Sequence, residues 1–332
     1  MKYLESLNKS LHNILGQNNN AIFLGEDILD PYGGAFKVSK GLSTKFPKQV
    51  ISTPISEAGI VGAATGMAMR GLKPIVEIMF GDFIALASDQ IINHASKYNW
   101  MYNNKINIPI IIRTPVGGRR GYGPTHSQSL EGIFMSIPGL EIIAPSIFHD
   151  PGKILEELYN SITKPTIFVE YKLDYSKNLS ENNFNNFTII RDDKSNENII
   201  LSLYPEEKPD IIILTYGGNA SIALEASEKY FMDEEIVVNV CVLGSIKPID
   251  IDFIIKASSS SGRVIVLEEG SVVGGWSAEV SSIINDHCFA SLKSPVQRLG
   301  AQEVPIPSSG PMEMEVLPSS EDLVKIFNKI MY

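Results

Sequence analysis

The chain has 332 residues, of which 44% are hydrophobic and 20% are charged, and its net charge is -10. These values are typical of a globular protein that is large enough for two domains. Because the acidic balance leaves no basic stripe, we expect neither nucleic acid nor a membrane as a partner. Two cysteines are too few for a disulfide framework, and the first residues lack an apolar signal core. We therefore expect a cytoplasmic protein.

Strand and helix patterns alternate along the first half of the sequence, each separated by Gly, Pro or Asn. An amphipathic helix is predicted over residues 4–15. The strand patterns lie at 21–24, 74–79, 109–113, 140–144 and 165–170, and the helix patterns at 84–98 and 150–161. Alternation of this kind predicts a parallel sheet covered by helices on both faces.

A polar segment divides the chain. Residues 179–208 are rich in Asn, Asp, Lys and Ser, and we predict a linker there between domains at 1–178 and 209–332. The second domain repeats the alternation, with strand patterns at 210–216, 236–243 and 263–268 and helix patterns at 221–231, 250–258 and from 274. The sequence therefore predicts an α/β fold of two parallel-sheet domains.

A single carboxylate, Glu57, lies between Lys48 and Arg70 in a stretch of small and apolar residues. A lone carboxylate in such surroundings is poorly solvated and can share a proton with a bound partner, which is typical of a functional site. The alternative interpretation is an ordinary acidic residue in the first turn of a helix, where the helix dipole stabilises it.

Three further groups of residues are candidates for binding a ligand or for catalysis. Met79 and Phe83 follow a predicted strand, at the sheet edge where a thioether and an aromatic ring suit a flat heteroaromatic ligand, although core packing is the alternative. A glycine-rich loop over 113–128 leads to His126, which can titrate near neutral pH, although a lone histidine is more often structural. Glu26 follows another predicted strand, where an ordinary turn is the alternative.

Taken together, these motifs resemble the beta subunits of the first, decarboxylating component of 2-oxo acid dehydrogenase complexes, which are thiamine diphosphate enzymes of the transketolase-like superfamily. The resemblance covers nearly the whole chain. The motifs that carry it occur in family order and are Leu24-Gly25-Glu26-Asp27, Thr53-Pro54-Ile55-Ser56-Glu57, Asp89-Gln90-Ile91-Ile92-Asn93, His126-Ser127-Gln128-Ser129, Ile137-Pro138-Gly139-Leu140, and Gly262-Arg263 to Glu268-Glu269-Gly270 with Gly274-Gly275. It implies a pyrimidine-binding first domain and a transketolase C-terminal-like second domain used for assembly.

The resemblance also implies a role for each site residue. Glu57 matches the glutamate that hydrogen-bonds the pyrimidine ring nitrogen of the cofactor. Phe83 matches the aromatic residue stacked on the pyrimidine, and Met79 and Ile55 line the same pocket. His126 matches the active-site histidine that assists the decarboxylated intermediate or its transfer to a lipoyl group.

A missing motif indicates a partner chain. The family holds the diphosphate and its Mg2+ with Gly-Asp-Gly, whereas here Gly81-Asp82 continues with Phe83. The resemblance therefore implies half a cofactor site, no metal ligand in this chain, and an alpha subunit in an alpha2beta2 heterotetramer. It also implies a lipoyl domain and a small 2-oxo acid as partners. Glu26 and Asp89 match acidic cofactor-site positions between the two active sites of the tetramer.

The loop before His126 leaves the substrate open. Gly123-Pro124-Thr125-His126 is similar to transketolases, so a two-chain transketolase or related carboligase is an alternative, and a catalytically silent assembly subunit is another. We predict that the loop over 117–125 sets the substrate range and acyl acceptor. Arg119 and Arg120 would bind a carboxylate or steer an acidic lipoyl domain, and a solvated pair of charges is the alternative.

Overall fold

The computed structural model describes residues 1–192 and 198–332, which form two compact units. The first unit contains Met1–Val116, Phe134–Ile143 and Asp150–Leu179. The second unit contains Gly117–Ile133, Ala144–His149 and Ser180–Tyr332. Within these described ranges, no helix is long and apolar enough to cross a membrane.

The first unit is built on parallel strands. They are β1 Ala21–Gly25, β2 Val50–Ser52, β3 Lys73–Glu77, β4 Ile111–Val116, β5 Glu141–Ile143 and β6 Thr166–Tyr171. Within this unit they lie in the order β5-β6-β4-β3-β1-β2, each parallel to its neighbours. Every residue of β4 and β6 is buried, as expected for strands covered by helices on both faces.

The first unit has five α-helices, two of which are amphipathic and bury one face. The five are α1 Tyr3–Gln17, α2 Leu42–Lys45, α3 Glu57–Met69, α4 Ser96–Met101 and α5 Pro151–Ser161. The unit also has 3-10 turns at Gly81–Ala87 and Lys172–Asp174 and a π-helix at Gln90–Ala95. The amphipathic pair, α1 and α5, pack together. The α5 helix is capped by Asp150, whose side chain accepts hydrogen bonds from two backbone N–H groups, and begins with Pro151.

The second unit has a mixed sheet in the order β14-β13-β10-β11-β9-β8-β7. The strands of this sheet are β7 Asn183–Phe184, β8 Phe187–Arg191, β9 Asn198–Ser202, β10 Ile211–Tyr216, β11 Val238–Leu243, β13 Val264–Ser271 and β14 Gln297–Ala301. The short strand β12 Ser245–Lys247 belongs to the same unit but not to this sheet. Its helices are α6 Asn219–Glu234, α7 Ile251–Ser261, α8 Trp276–Cys288, α9 Gly310–Val316 and α10 Ser320–Met331, and short 3-10 turns lie at Glu131–Phe134 and Phe289–Ser291. The four strands from β14 to β11 are parallel, as predicted.

The segment predicted as a linker contains strands instead. β9 pairs antiparallel with β11, and β8 and β7 continue the second sheet outward. The Asn residues serve the turn between β7 and β8, where Asn185 has a φ of 51°. Polarity here therefore reflects turn chemistry and an outer sheet position. Residues 193–197 of the predicted linker lie outside the described residues, and the domain bounds stay a prediction.

The predicted helix over 84–98 is divided into three segments. A 3-10 turn covers Gly81–Ala87, the π-helix covers Gln90–Ala95, and α4 follows. Two side-chain hydrogen bonds join the π-helix to the residues that flank it. Asn93 Nδ2 donates to Asp89 Oδ1 at 2.7 Å, and Ser96 Oγ donates to the Ile92 carbonyl at 2.8 Å. Apolar spacing alone does not distinguish these helix types, and single π-turns are frequent at functional sites.

Candidate active site

Glu57 is the first residue of α3, and Ser56 caps that helix. The Ser56 Oγ accepts a hydrogen bond from the Gly59 backbone N–H at 3.4 Å. The first-turn interpretation therefore describes the place of Glu57 correctly. Glu57 is nevertheless only 4% exposed, whereas glutamates are almost never fully buried unless they are paired. Its burial needs an explanation beyond a helix terminus.

Glu26 lies directly after β1 and is also buried, with 5% of its surface exposed. Burial is the largest cause that raises the pKa of Glu26, and the charge of the nearby Glu57 raises this pKa further. Among the described residues, no group forms a hydrogen bond with the buried Glu26 Oε1. The end of β1 and the start of α3 thus bring together two buried carboxylates, and one of them, Glu26, has an oxygen without a hydrogen-bond partner among the described residues.

Aromatic side chains lie on the 3-10 turn that packs against α3. Phe83 is half-buried, and its ring meets the Phe80 ring edge-to-face at 5.7 Å. Phe80 in turn meets Phe36 at 5.5 Å. Met79 is half-buried just after β3, and Ile55 is 80% exposed. Phe83 and Met79 are therefore neither fully packed in the core nor fully solvated, and both have surface left for a ligand.

Asp89, unlike Glu26 and Glu57, is exposed. Its side chain is 60% exposed, and besides Asn93 it has His94 at 4.0 Å. It precedes the π-helix, which packs against α3 at Gly62, where an added Cβ would lie 3.6 Å from Gln90 Cγ. The structure thus places Asp89 near the same helix as Glu57, on an exposed surface.

A buried ion network lies among the central strands of the first unit. The Arg113 guanidinium, on β4, donates to both oxygens of Glu170 at 2.7 and 2.8 Å and to Glu77 Oε2 at 2.8 Å. Tyr175 Oη also donates to Glu170 at 2.7 Å. Burial raises the pKa of Glu77, while the charge of Arg113 opposes that rise. This bidentate arrangement satisfies an arginine that is only 2% exposed.

One glycine of the pair after β1 is explained by this network. Gly34 has a φ of +79°, and a Cβ added there would lie 2.6 Å from Glu77 Oε1. Any side chain at this position would displace the carboxylate from its ion pair. Gly34 therefore serves the packing of Glu77, whereas a Cβ added to Gly33 would lie 2.8 Å from the Lys40 Cα.

His126 lies in the second unit and is half-buried. Its Nδ1 is 3.0 Å from Thr125 Oγ1, and its backbone N–H donates to the Gly123 carbonyl at 3.3 Å. A hydroxyl next to the ring can fix the orientation and tautomer of the imidazole. The loop thus presents His126 in a defined local geometry.

Arg119 is not the solvated charge that one interpretation of the sequence predicted. Its Nη2 donates to the Pro318 carbonyl at 2.6 Å, its Nε lies 3.7 Å from Glu269 Oε2, and its side chain is 11% exposed. Because the guanidinium is held inside the second unit, Arg119 is neither a solvated charge nor a free steering group. Arg120 is exposed, and its guanidinium lies 5.2 Å from the centre of the Tyr122 ring.

A second acidic cluster lies in the second unit. Glu131 is 5% exposed, and its Oε1 accepts a hydrogen bond from Tyr216 Oη, at the end of β10, at 2.7 Å. Burial raises the pKa of Glu131 to about 7, opposed by the tyrosine bond and assisted by the charges of Glu268 and Glu269 on β13. Glu268 itself accepts from the backbone N–H groups that begin α8. Glu131 therefore holds its proton up to near neutral pH.

We expect Glu131→Gln to remove a pH dependence of stability. Because the folded chain keeps this proton up to about pH 7 and the unfolded chain loses it near 4.5, stability falls as pH rises through this window. The loss amounts to about 3 kcal/mol at most and is constant above pH 7. Thermal unfolding at pH 5 and pH 8 should show a smaller difference in the variant than in the wild type. An exposed control, Glu279→Gln, should keep the wild-type difference, and an unchanged difference in Glu131→Gln would contradict the assignment.

Sequence reasoning did not identify the carboxylates of the ion network in the first unit, Glu77 and Glu170, or the buried Glu131 and Glu313 of the second unit. Within the described ranges, no group of three or more His, Cys, Asp or Glu side chains could hold a metal ion. What the geometry offers is a buried carboxylate pair beside half-buried aromatic rings, an arrangement suited to a ring nitrogen that shares a proton.

Comparison with known proteins shows the family and the fold of the chain. The family model for the transketolase pyrimidine-binding domain matches residues 1–177, and the model for the transketolase C-terminal domain matches residues 203–323. A solved structure described as a split gene transketolase in an inactive beta4 tetramer has a TM-score of 0.75 at 20% identity. The match covers 99% of this chain and 98% of that one, and it shows the shared fold.

Curated relatives are similar along the whole chain. The mitochondrial pyruvate dehydrogenase E1 component subunit beta-1 of Arabidopsis thaliana is 32% identical, with 100% of this chain and 90% of the relative covered. The 2-oxoisovalerate dehydrogenase subunit beta of Bacillus subtilis is 33% identical, with 92% and 90% covered. The chain therefore belongs to the transketolase-like family that contains the beta subunits of pyruvate and 2-oxoisovalerate dehydrogenases.

Proposed function

We propose that this chain is the beta subunit of a thiamine diphosphate dependent 2-oxo acid dehydrogenase. With an alpha subunit, in an alpha2beta2 heterotetramer, it oxidatively decarboxylates a small 2-oxo acid and passes the acyl group to a lipoyl domain. Full-length similarity to beta subunits of pyruvate and 2-oxoisovalerate dehydrogenases supports this proposal. We assign cofactor binding to the domain at 1–178 and assembly to the domain at 209–332.

The observation that carries the proposal is the buried pair of Glu57 and Glu26. Glu26 Oε1 lacks a hydrogen-bond partner among the described residues, and a half-buried aromatic ring lies on the 3-10 turn packed against α3. These residues fit the aminopyrimidine half of thiamine diphosphate, which combines ring nitrogens with a flat face. When bound, the cofactor supplies the electron sink for decarboxylation.

Each residue of this chain has a distinct task at the site. The Glu57 carboxyl would share a proton with a pyrimidine ring nitrogen and thereby favour the imino tautomer of the ring. Phe83 would stack on the pyrimidine, and Met79 and Ile55 would supply apolar contacts to it. Burial and the charge of Glu57 raise the pKa of Glu26, so protonation of Glu26 would limit the repulsion between the two carboxyls. His126, in the second unit, would assist the decarboxylated intermediate or its transfer to a lipoyl group.

Exposed apolar residues support a partner subunit. Trp100, Met101 and Tyr102 are consecutive and are 80%, 64% and 50% exposed. Large apolar side chains that share an exposed segment are typical of a protein interface. An alpha subunit would also supply the groups for the diphosphate and Mg2+, since the Gly-Asp-Gly motif is missing here.

We expect the chain alone to bind thiamine diphosphate with Mg2+ weakly or not at all. The phosphate contacts supply much of the affinity for such a cofactor, and this chain lacks the motif that makes them. Calorimetric titration of the lone chain should show no tight binding, and the same titration of the complex with its alpha subunit should show it. Tight, Mg2+-dependent binding by the lone chain would contradict the half-site.

The acyl acceptor distinguishes the proposed enzyme from a two-chain transketolase or carboligase. The similarity of Gly123-Pro124-Thr125-His126 to transketolases favours that second candidate. The complex should acylate a lipoyl domain when it is given a 2-oxo acid, and mass spectrometry of the lipoyl domain measures this directly. Transfer to an aldehyde without lipoyl acylation would favour the carboligase instead.

A further inference from the structure

The loop before His126 is bound by a buried carboxylate from near the end of the chain. Glu313, on α9, has no exposed surface. Its Oε1 accepts a hydrogen bond from the Arg119 backbone N–H at 2.8 Å, and its Oε2 accepts one from the Gly121 backbone N–H at 2.7 Å. Both oxygens of one carboxylate therefore hold the backbone of the same loop, and bonds to a charged acceptor are the stronger kind.

The loop backbone is shaped to receive this carboxylate. Gly117, Arg119 and Gly121 have φ values of 96°, 68° and 68°. Left-handed residues along a loop turn neighbouring N–H groups toward a common point and form a concave anion site. Arg119 is the unfavourable member, since a residue with a side chain rarely adopts this conformation. Its bonds to Glu313 and Pro318 compensate for that cost.

Close packing fixes the loop against residues 308–318, which we call the anchor segment. A Cβ added to Gly118 would lie 2.6 Å from Leu317 Cδ1, and one added to Gly121 or Gly123 would lie 3.2 Å from atoms of Ser308. The Gly118 N–H also donates to Glu269 Oε1 at 2.7 Å. The glycines of this loop therefore permit close contact with the anchor segment as well as unusual backbone angles.

We infer that Glu313 is a positioning residue for His126. Three bonds to carboxylates and the glycine contacts fix the loop from Gly118 to Gly123, and the His126 N–H donates to the carbonyl of Gly123. His126 therefore lies three residues after Gly123 and is hydrogen-bonded to it, so the position of its imidazole depends on the anchored loop. The catalytic consequence rests on the proposed function, whereas the anchoring of the loop stands on the geometry alone.

Limited proteolysis tests the anchor without any need for activity. Trypsin cleaves after Arg119 and Arg120, and cleavage of a folded protein follows the population in which the loop is open. Glu313→Gln replaces one accepting oxygen by an amide that cannot accept, so the open population and the nicking rate of the full-length chain should rise about tenfold or more. Glu315→Gln, on the exposed side of the same helix, is the matched control and should be nicked at the wild-type rate.

A second variant reaches the loop without changing a buried charge. Gly121→Ala places a side chain at a φ of +68° and 3.2 Å from the Ser308 carbonyl oxygen, so it should also accelerate nicking. If neither variant alters the nicking rate while both remain folded by circular dichroism, the anchor does not exist and the inference is overturned.

A double-mutant cycle in the complex with the alpha subunit tests the link to His126. If Glu313 acts through His126, Glu313→Gln should lower kcat about tenfold in the wild-type background and have almost no further effect in a His126→Ala background. Equal losses in both backgrounds would show that Glu313 acts by another route and would overturn the positioning role. If His126→Ala itself leaves kcat unchanged, the proposed role of His126 fails, and the proteolysis still decides the anchor separately.

Discussion

Glu57→Gln is expected to lower the turnover of the assembled enzyme about a hundredfold or more. The amide has nearly the same size and keeps its place at the start of α3, so the fold should be unaffected. It cannot, however, exchange a proton with a ring nitrogen at the site. Because Glu57 is 4% exposed, solvent cannot easily take over this exchange.

Steady-state kinetics of the complex measures this effect, with circular dichroism and the assembly state as checks on folding. Glu157→Gln is a suitable control in the same unit, since that side chain is 62% exposed and forms a surface ion pair with Lys153. The control should retain wild-type turnover. Near-normal activity of Glu57→Gln would remove the catalytic role and would favour a silent assembly subunit.

Arg113→Met is expected to destabilise the chain by about 3–5 kcal/mol, because it leaves buried carboxylates without their cation. Glu170 is fully buried and Glu77 is largely so. Methionine fills much of the space of the arginine stem, so the loss should reflect charge more than volume. The double change Arg113→Met with Glu170→Gln should recover part of the stability, since it removes one unpaired charge together with its partner.

Urea unfolding of the single and double variants measures these free energies. Lys164→Met is the matched control: this lysine is 57% exposed, lies 3.4 Å from Glu141, and should contribute less than about 1 kcal/mol. A loss for Arg113→Met no greater than that of the control would show that the network does not stabilise the first unit.

The sequence predicted the fold well where a single local pattern decides the structure. The strands at 210–216 and 165–170 are runs of apolar residues between breakers, and both appear in the structure within one residue, as β10 and β6. β8 and β9 are short apolar runs that were missed because the polar residues around them dominate the composition of the segment. β9 pairs with β11 and β8 with β9, and these pairings do not follow from a local pattern.

In the candidate site, too, local patterns identified some residues and not others. Glu57, Phe83 and His126 were identified as candidates because the sequence immediately around each of them is unusual. Glu313 and Arg119 are 194 residues apart, and Arg113 and Glu170 are 57 apart. Contacts at such separations follow from topology, so neither the anchor of the loop nor the buried ion network could be found from residue spacing.

The Asn-rich hairpin has a consequence for the edge of the second sheet. A sheet with a long free edge offers unpaired N–H and C=O groups to any other extended chain. Here the outermost strand, β7, has only two residues and ends at the turn around Asn185. β7 itself therefore offers an added strand an edge of only two residues. A turn-bounded strand of this length limits how far a second copy could extend the sheet along it.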